Sequence, residues 1–537
     1  MFRKIRKKVG FLVSKAGKSA HSSSLSDKSE NNSKSSSLSL SLKENIQKIK
    51  SAMGNSNDLI VREFSFGKNQ GISAAIIFMD GLSSTAIIND SIIEPLIYKS
   101  GFVINDISKN SLNIDEIKEF LISANDVKDA DSLDSVTSGF LTGDVAFMIE
   151  GNDKALIINC KGWDKRSVSE PATESVIRGP REGFTESLRT NTALLRRIIK
   201  SPELMMETMT IGEKTKTIIC LSYIRGVATD KLINEVKSRL SVISTDAILE
   251  SGYIEQYIED APYSIFSTVS YTEKPDVVAG KILEGRIAII VDGTPFVLTV
   301  PSLFIESFQT AEDYYTRPYF MSMLRIIRII AFFISILAPA FYVAITTFHH
   351  ELIPTDLLFT MVAARETIPF PAVLEAAIMI IAFELLREAG VRLPRPVGQS
   401  ISIVGALIMG DAAVSAGLIG APMVIVIAIT SVSIFAIPSQ AESAAILRII
   451  MLVLAGTLGG FGITVGLLAT LVHLASLKSF GFPYLSPIAP FQPEDNMDTI
   501  LRFPLWMMKR RPKNMASPDK CRQSDFVPAA LEKNQKK

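Results

Sequence analysis

Four acidic residues lie within or beside long apolar segments in the carboxy-terminal half of this 537-residue chain. They are Glu375, Glu384, Asp411 and Glu442. An unpaired charge in hydrocarbon costs several kcal/mol, so each carboxylate is expected to face a basic partner, a water-filled path or the membrane interface. Two roles stay open for each residue: structural pairing, or a direct part in ion passage or gating.

The four acids differ in their depth within the apolar segments. Asp411 lies in the middle of GALIMGDAAVSAG, whereas Glu384 with Arg387, and Glu442 with Arg448, lie near segment ends. Asp411 is therefore the strongest candidate for a functional carboxylate. Glu375 and Glu384 are nine residues apart, which places them on opposite faces of a helix and predicts that they do not line one pore.

A short apolar segment, TDLLFTMVAARETI, lies between Pro354 and Pro369. As a helix its roughly 14 residues span ~21 Å, too short to cross a membrane, yet it is too apolar for a surface loop. Its residues Leu358, Met361, Val362 and Arg365 share one face. The segment is predicted to be either a re-entrant helix beside a water path or an amphipathic helix in the headgroup layer.

The elements that must position these residues are apolar segments separated by prolines. Proposed membrane spans lie at 326–348, 371–387, 399–418, 421–438 and 445–476. Lys and Arg flank the first span on one side and follow the second, whereas the links 349–356 and 418–422 contain none, so the N-terminal half is predicted to be cytoplasmic. Five crossings leave the basic tail outside, so one segment is expected to re-enter or to be two spans.

Closely spaced glycines mark the last proposed span. Gly456 and Gly460, then Gly462 and Gly466, form two G-x-x-x-G pairs, which allow helix backbones to approach closely. They are candidates for packing within the chain or between subunits. Simple enrichment of glycine in membrane helices is the alternative.

The N-terminal half has the composition of a globular protein. Strands are predicted at 58–66, 72–80, 144–151, 155–160, 216–224 and 285–293, and helices at 111–122, 185–200, 229–243 and 275–284. This alternation predicts an α/β N-terminal soluble region of two α/β lobes, followed by an all-α polytopic membrane domain. No internal repeat is visible. The predicted divisions are a basic, Ser-rich disordered leader 1–50, lobes 51–200 and 201–318, a transmembrane domain 319–480 and a basic tail 481–537.

Several function classes lack support in the sequence. A net charge of +1 gives no overall attraction to nucleic acid. The four histidines and three cysteines form no metal-ligand or nucleophile motif, so no enzyme activity, cofactor or metal is predicted. The His349-His350 pair is interpreted as part of a solvated loop, with titration near neutral pH as the alternative. The basic N-terminus is interpreted as a solvated tail or as an amphipathic patch on anionic lipid.

A polar, turn-rich stretch at 162–183 contains Arg178, Arg181 and Glu182. These residues are candidates for contact with an acidic partner surface. Bracing of the fold is the alternative.

Three long strings resemble a known family. They are ESVIRGPREGFTESLRTNTALLRRIIKSPEL (174–204), GRIAIIVDGTPFVLTVPSLFIESFQTAEDYYTRP (285–318) and PFPAVLEAAIMIIAFELLREAGVRLPRPVGQSISIVGALIMGDAAV (369–414). Together they resemble the A subunits of bacterial spore germinant receptors, from roughly residue 55 to 512. The resemblance implies an inner spore membrane receptor that acts with a transporter-like B subunit and a C-subunit lipoprotein, forms a homo-oligomer and releases monovalent cations after a nutrient binds.

Within that resemblance we expect the 354–371 segment to open or close a water path. Met361 and Val362 form the apolar constriction, and Thr360 and Glu366 lie at its polar edges. The rival expectation is a scaffold subunit that assembles the receptor without conducting ions. A secondary transporter is a weaker alternative, because no inverted repeat pairs two broken helices.

Overall fold

The computed structural model describes most of the chain. The described residues are 37–67, 71–99, 114, 117–118, 122, 126–162, 170–171, 173–174, 176–366, 368–392, 410–493, 495–512, 515, 519 and 521–523. Residues 1–36 of the predicted leader, most of the predicted helix 111–122, and the first part of the predicted span 399–418 lie outside them. The chain divides into two compact units, Met1–Trp163 and Asp164–Lys537.

The first unit is built on one antiparallel sheet. Its elements are α1 (Leu42–Ala52), β1 (Leu59–Phe66), β2 (Ile72–Met79), α2 (Thr85–Ile88), β3 (Val127–Ala130), α3 (Leu133–Leu141), β4 (Val145–Ile149) and β5 (Ala155–Ile158). Two π-helical turns, Asn89–Ile93 and Pro95–Lys99, extend α2. The strand order is β1-β2-β4-β5-β3, and each neighbouring pair is antiparallel.

Helix α1 corrects the prediction of a disordered leader for residues 42–50. Leu42, Ile46 and Ile49 are buried, and their i, i+4, i+7 spacing gives the helix one apolar face. The backbone N–H of Leu42 donates to Glu150 Oε2 at 2.8 Å. This short run of apolar positions is enough to fix the helix although the preceding sequence is rich in serine.

The second unit begins with another antiparallel sheet, which we call the second lobe. Its elements are α4 (Leu188–Ile198), β6 (Leu204–Ile211), β7 (Thr217–Ile224), α5 (Asp230–Val242), α6 (Ser251–Ile258), β8 (Ser270–Thr272), α7 (Pro275–Leu283), β9 (Ile287–Val291) and β10 (Val297–Val300). The strand order is β6-β7-β9-β10-β8. Helix α4 packs through Leu194 and Leu195 against Leu204 and Cys220 of this sheet, so it belongs to the second lobe, whereas the sequence analysis placed the lobe boundary near residue 200.

The two sheets are an internal structural repeat, which corrects the expectation that none exists. Both have the same spatial strand order, and their elements follow in the order helix, two strands, helix, strand, helix and two strands, except that two helices, α5 and α6, stand between β7 and β8 in the second sheet. Glycines with positive φ stand at matching turns: Gly67, Gly81, Gly143 and Gly151 in the first sheet, and Gly212, Gly226, Gly285 and Gly293 in the second. The side chains between these turns differ, so the repeat is carried by turn glycines and apolar alternation.

The remainder of the second unit is helical. Its elements are α8 (Glu312–Tyr315), α9 (Pro318–Phe348), α10 (Thr355–Arg365), α11 (Ala372–Arg392), α12 (Ala421–Phe435) and α13 (Ala441–Ser476), with 3-10 turns at Phe304–Phe308, His350–Leu352, Pro438–Gln440, Asp495–Asp498 and Leu505–Met507. A two-residue ladder, β11 (Lys478–Ser479) with β12 (Phe482–Pro483), follows α13. The architecture is thus an α/β region with two antiparallel sheets, followed by a helical region.

Two helices have the length and hydropathy that a membrane crossing needs. They are Pro318–Phe348 and Pro438–Ser476, and Ala421–Phe435 is a shorter apolar helix. The first helix continues through Pro339. Many large apolar side chains of the helical region are exposed, among them Phe341, Ile425 and Phe461. Such an apolar exterior suits a lipid surrounding better than water.

Candidate functional site

Helix α13 is a hairpin and not one straight span. Gly459 has φ +62° and ψ −142°, a conformation open to glycine, and it separates two helical halves. A Cβ on Gly462 would lie 2.2 Å from Leu454 O, and one on Gly466 would lie 2.7 Å from Met451 Sδ. The second half therefore runs back along the first. Each half contains about 18 residues and spans ~27 Å.

Both ends of this hairpin contact the second lobe or the segment that follows it. At the first end, Gln440 Nε2 donates to Ser307 Oγ at 2.7 Å and Ser443 Oγ donates to Ile265 O at 2.6 Å. At the second end, His473 Nε2 lies 2.9 Å from Ser264 Oγ, and Ser479 Oγ donates to Thr268 O at 2.6 Å. The chain after α13 therefore returns to the face of the helical region from which α9 starts.

The tip of the hairpin lies at the opposite end, beside the end of α9. A Cβ on Gly459 would lie 2.9 Å from Phe348 Cβ. The Gly460 N–H, the first free donor of the returning half, donates to His349 Nε2 at 3.1 Å. His349 is thus a cap on the hairpin tip, which differs from the solvated loop predicted for it. His350 begins the 3-10 turn that follows.

The four glycines of the two G-x-x-x-G pairs contact their own chain. Gly456 faces Val373 of α11, Gly460 faces His349, and Gly462 and Gly466 face the first half of the hairpin. These close approaches occupy the faces that the sequence analysis offered for packing between subunits.

The segment between Pro354 and Pro369 forms helix α10, an 11-residue helix with no buried residue. Thr360 is exposed and donates its hydroxyl to Asp356 O at 2.9 Å. Met361 packs against the core that contains Tyr342 and Met423, whereas Val362 is 57% exposed. Glu366, just after the helix, is exposed. The two residues expected to form one constriction therefore have different surroundings.

One ion pair ties α10 to the rest of the helical region. Arg365, at the end of α10, has Nη2 3.3 Å from Oε1 of Glu375 on α11. Glu375 is fully buried, and its Oε2 accepts a hydrogen bond of 3.2 Å from the N–H of Gly420, the residue that precedes α12. Glu375 thus joins α10, α11 and α12.

Glu384 takes part in a second, separate ion cluster. Its carboxylate lies 2.7 Å from Arg387 and 3.4 Å from Arg448, and Arg448 is buried on α13. The Nε of Arg448 donates to the Ser335 carbonyl of α9 at 3.0 Å. Arg448 therefore pairs with Glu384 and not with Glu442, the neighbour that the sequence analysis offered.

The other two acids of the helical region are exposed. Asp411 lies in a short helical turn at 410–415, most of its proposed span being outside the described residues, and its side chain is exposed. Glu442 is exposed in the first turn of α13. Within the described part of the chain, neither carboxylate forms an ion pair. Position within an apolar segment thus made Asp411 the strongest candidate for a functional carboxylate. Burial and ion pairing in the structure point instead to Glu375 and Glu384.

A buried ionic network at the base of α9 was missed by the sequence analysis. Arg325 and Asp313 are fully buried and lie 2.6 Å apart, and Arg325 also contacts Asp498 at 2.8 Å. Arg328 lies 3.0 Å from Asp313. Tyr314 donates to Asp498 Oδ2 at 2.6 Å, and burial raises the pKa of Tyr314 well above its usual range. Contacting partners are up to 184 residues apart, so spacing in the sequence gave no signal for this network.

A second buried cluster joins the tail to the second lobe. Arg286 pairs with Glu306, and Lys281 Nζ lies 3.5 Å from Glu306. Burial lowers the pKa of Lys281 and raises the pKa of Glu284. The buried Met515 covers Arg286 with its sulfur 3.3 Å from Nε. The tail is therefore fastened to the same face as the start of α9.

The loop residues offered as partner contacts lie at the surface of the second unit. Arg178 and Arg181 are exposed, and Glu182 lies 3.2 Å from Arg197 of α4. The Arg178 N–H donates to Glu312 Oε1 at 3.2 Å. The backbone of this loop is thus braced, while both guanidinium groups face outward.

The arrangement has no cluster of three or more His, Cys, Asp or Glu side chains placed to hold a metal within the described part of the chain. What it offers is a set of buried ion pairs between helices. Such pairs hold helices in fixed positions and can be exchanged when a helix moves.

Comparison with known proteins gives a consistent picture. The family model described as Bacillus/Clostridium GerA spore germination protein matches residues 47–514. Spore germination protein KA of Bacillus subtilis (strain 168) is 47% identical over 488 residues, covering 90% of this chain and 89% of that protein. The uncharacterized membrane protein YfkQ of the same organism is 44% identical, covering 88% of this chain and 91% of that protein.

Two further relatives are a germination protein and a solved structure. Spore germination protein GerLA of Bacillus cereus is 35% identical, covering 88% of this chain and 95% of that protein. The crystal structure of the N-terminal domain of the A subunit of the Bacillus megaterium spore germinant receptor GerK3 is 40% identical, covering 50% of this chain and 97% of that chain, with a TM-score of 0.39.

Proposed function

Since this chain belongs to the Bacillus/Clostridium GerA spore germination protein family, we propose that it is a membrane subunit of a spore nutrient receptor, coupling nutrient sensing to germination. Its part in the receptor is to conduct ions or to gate their passage. Spore germination protein KA and GerLA are germination proteins by name, and we propose no catalytic step for this chain.

In this proposal the helical region is a polytopic domain of the inner spore membrane, with the N-terminal region in the cytoplasm. Six crossings are assigned: α9, α11, the 399–418 segment, α12 and the two halves of α13. An even number puts the basic tail on the side of the second lobe, as the contacts of both hairpin ends favour. The distribution of Lys and Arg favours the cytoplasmic side for both.

The observation that carries the gating role is helix α10. It is short, it lies between two apolar helices, and none of its residues is buried. Side chains exposed in one copy, such as Val362, are available to face a central path in an oligomer of several copies. An apolar ring formed by Val362 excludes water while closed, with Thr360 and Glu366 at its polar edges.

The proposed partners follow from the same family. A transporter-like B subunit and a C-subunit lipoprotein complete the receptor, and membrane lipid surrounds the apolar helices. Arg178, Arg181 and Glu182 are proposed to contact a partner, since the first two are exposed on a braced loop. Asp411 and Glu442, both exposed, are proposed to face the ion path, whereas Glu384 is proposed to keep its structural role as the partner of Arg387 and Arg448.

The test is potassium efflux from liposomes that contain the full chain with its partner subunits. Val362→Ala removes two methyl groups from the constriction and is expected to raise efflux without nutrient by at least about tenfold. Val432→Ala is the matched control, because Val432 is 70% exposed on another apolar helix, α12. Its basal efflux is expected to equal that of the unaltered receptor.

Efflux that stays at the level of empty liposomes in every variant, with assembly of the partners intact, contradicts conduction. That result favours the scaffold subunit. Assembly is therefore measured in the same samples by co-purification of the partners.

A further inference from the structure

Glu375 is a carboxylate whose negative charge is neutralised by one partner from a separate short helix. Its side chain is fully buried, and Arg365 is its ion-pair partner at 3.3 Å. The Gly420 N–H donates a hydrogen bond to the other carboxylate oxygen, Oε2, at 3.2 Å. A buried carboxylate that loses its cation costs several kcal/mol, so something must replace Arg365 whenever α10 moves away.

Three polar atoms around this pair lack a hydrogen-bond partner among the described residues. They are Glu375 Oε1, Arg365 Nε and the hydroxyl oxygen of Tyr342, all of them buried. Tyr342 lies in the same core as Ala372 and Ala376, which flank Glu375 on α11. Buried polar atoms are normally satisfied, so this group of atoms has unused capacity for water or for a ligand.

The element that carries Arg365 is loosely held. No residue of α10 is buried, and prolines precede and follow it. Elements with few buried contacts open at low free-energy cost. Glu375, Tyr342 and Gly420 belong instead to α11, to α9 and to the start of α12, and those helices share one core.

From this geometry we propose that Glu375 is a binding site for a monovalent cation, which takes the place of Arg365 when α10 withdraws. The carboxylate Oε1 and the Tyr342 hydroxyl oxygen are hard oxygen ligands of the kind that alkali-metal cations prefer. The cation approaches on the Oε1 side, because the Gly420 N–H points at Oε2. This inference rests on the proposed function, in which α10 moves.

In the resting state Arg365 thus keeps the site closed to ions. When α10 withdraws, the Arg365 guanidinium leaves Glu375 and a free monovalent cation binds the same carboxylate. The exchange couples the position of α10 to ion entry without leaving a bare charge in the helical region.

The test is the thermal stability of the purified full chain in detergent, in potassium chloride and in N-methyl-D-glucamine chloride at equal ionic strength. The unaltered chain is expected to show no potassium-specific shift of Tm, because Arg365 occupies the site. Arg365→Gln is expected to gain about 2 °C or more in potassium, because a cation then binds the folded state.

Two control variants define the site. Arg365→Gln with Glu375→Gln removes both charges and is expected to lose the potassium-specific shift. Arg387→Gln removes an arginine from the other ion cluster, where Glu384 keeps Arg448 as a partner, and is expected to show no shift. Should Arg365→Gln fail to fold, Arg365→Lys replaces it, and a smaller shift is expected because lysine holds the carboxylate less firmly.

The proposal is overturned if Arg365→Gln, or Arg365→Lys in its place, responds equally to both salts. A dependence on pH but not on potassium means that a proton neutralises Glu375 and also rejects the cation site. A potassium-specific shift with no liposome efflux supports the site and rejects conduction. Efflux with no such shift supports conduction and rejects the site.

Discussion

At the residue scale, the acidic side chains of the helical region differ in their partners more than in their sequence surroundings. Glu375 is fully buried with Arg365 and Gly420, whereas Asp411 is exposed. The sequence supported the expectation that intramembrane acids need partners, because burial of charge is costly in any fold. It did not identify the partners, since Arg365 comes from a separate short helix and Arg448 from a helix 64 residues away from Glu384.

Glu255 of α6 allows a prediction about pH. Burial, and then the nearby charges of Glu259, Glu250 and Glu442, raise its pKa from 4.5 to about 7, although Ser267 donates to it. The folded state therefore binds this proton more tightly than the unfolded state. Its stabilising effect is complete below pH 4.5 and is lost as the pH rises through about 7.

The expected result is that Glu255→Gln raises Tm at pH 8 and changes it little at pH 4.5, with a gain of at most about 3 kcal/mol in the free energy of unfolding. Differential scanning fluorimetry of the full chain in detergent at both pH values measures this. Glu213→Gln, at an exposed position in the turn between β6 and β7, is the control, and its Tm is expected to stay close to that of the unaltered chain. An equal gain from Glu255→Gln at both pH values contradicts the assignment.

At the element scale, the hairpin of α13 was only half visible in the sequence. The glycine pairs indicated close backbone approach, and the unexplained parity of the crossings indicated that one segment is two. The turn itself depends on Gly459, and the Gly459-Gly460 dipeptide is a turn signal that was interpreted instead as part of one apolar span. The local signal and the packing of the two halves against each other therefore agree on the place of reversal.

Gly462 tests the hairpin directly. Gly462→Ala places a Cβ 2.2 Å from Leu454 O, a backbone atom that cannot move without separating the two halves. We expect this overpacking to lower the free energy of unfolding by about 1–3 kcal/mol. Gly280→Ala in α7, where nothing lies within 4 Å of the added Cβ, is the control and is expected to be neutral or slightly stabilising.

Thermal unfolding of both variants in detergent measures the difference. A Tm for Gly462→Ala equal to that of the unaltered chain means that the two halves are not packed face to face.

At the scale of the whole molecule, the predicted fold class of an α/β region followed by helices is confirmed. Short apolar runs such as ISAAIIFM and TIICLSYI correctly predicted β2 and β7, because a strand that is buried on both faces is apolar at nearly every position. The strand β6, LMMETMTI, was missed because Leu204, the methionines and Glu207 are good helix formers, although Thr208 and Thr210 at its exposed positions favour a strand. The repeat was missed because its matching glycines are separated by unlike side chains.

The sidedness of the chain gives a whole-molecule prediction. Phe461 is 68% exposed beside the hairpin tip, whereas Cys521 is exposed in the tail. With six crossings, a cysteine at 461 and the native Cys521 react with a membrane-impermeant maleimide from opposite sides of a sealed vesicle. Cys160 and Cys220 are buried, and burial raises the pKa of the Cys160 thiol to about 12, so neither interferes.

Two chains are compared: one carries Phe461→Cys together with Cys521→Ser, and the other is the unaltered chain with Cys521. Each is labelled in right-side-out and in inverted vesicles. Labelling of both thiols from the same side contradicts a membrane crossing by the second half of α13, which separates Phe461 from Cys521.

The α13 hairpin connects the two sides of the helical region. Both of its ends are hydrogen-bonded to the second lobe, through Ser443 and Ser479, while its tip contacts Phe348 and His349. We expect a tilt of the second lobe to shift the hairpin tip, and with it the end of α9 that lies seven residues before α10. A movement on one side of the helical region would then reach the helix without buried residues on the other side.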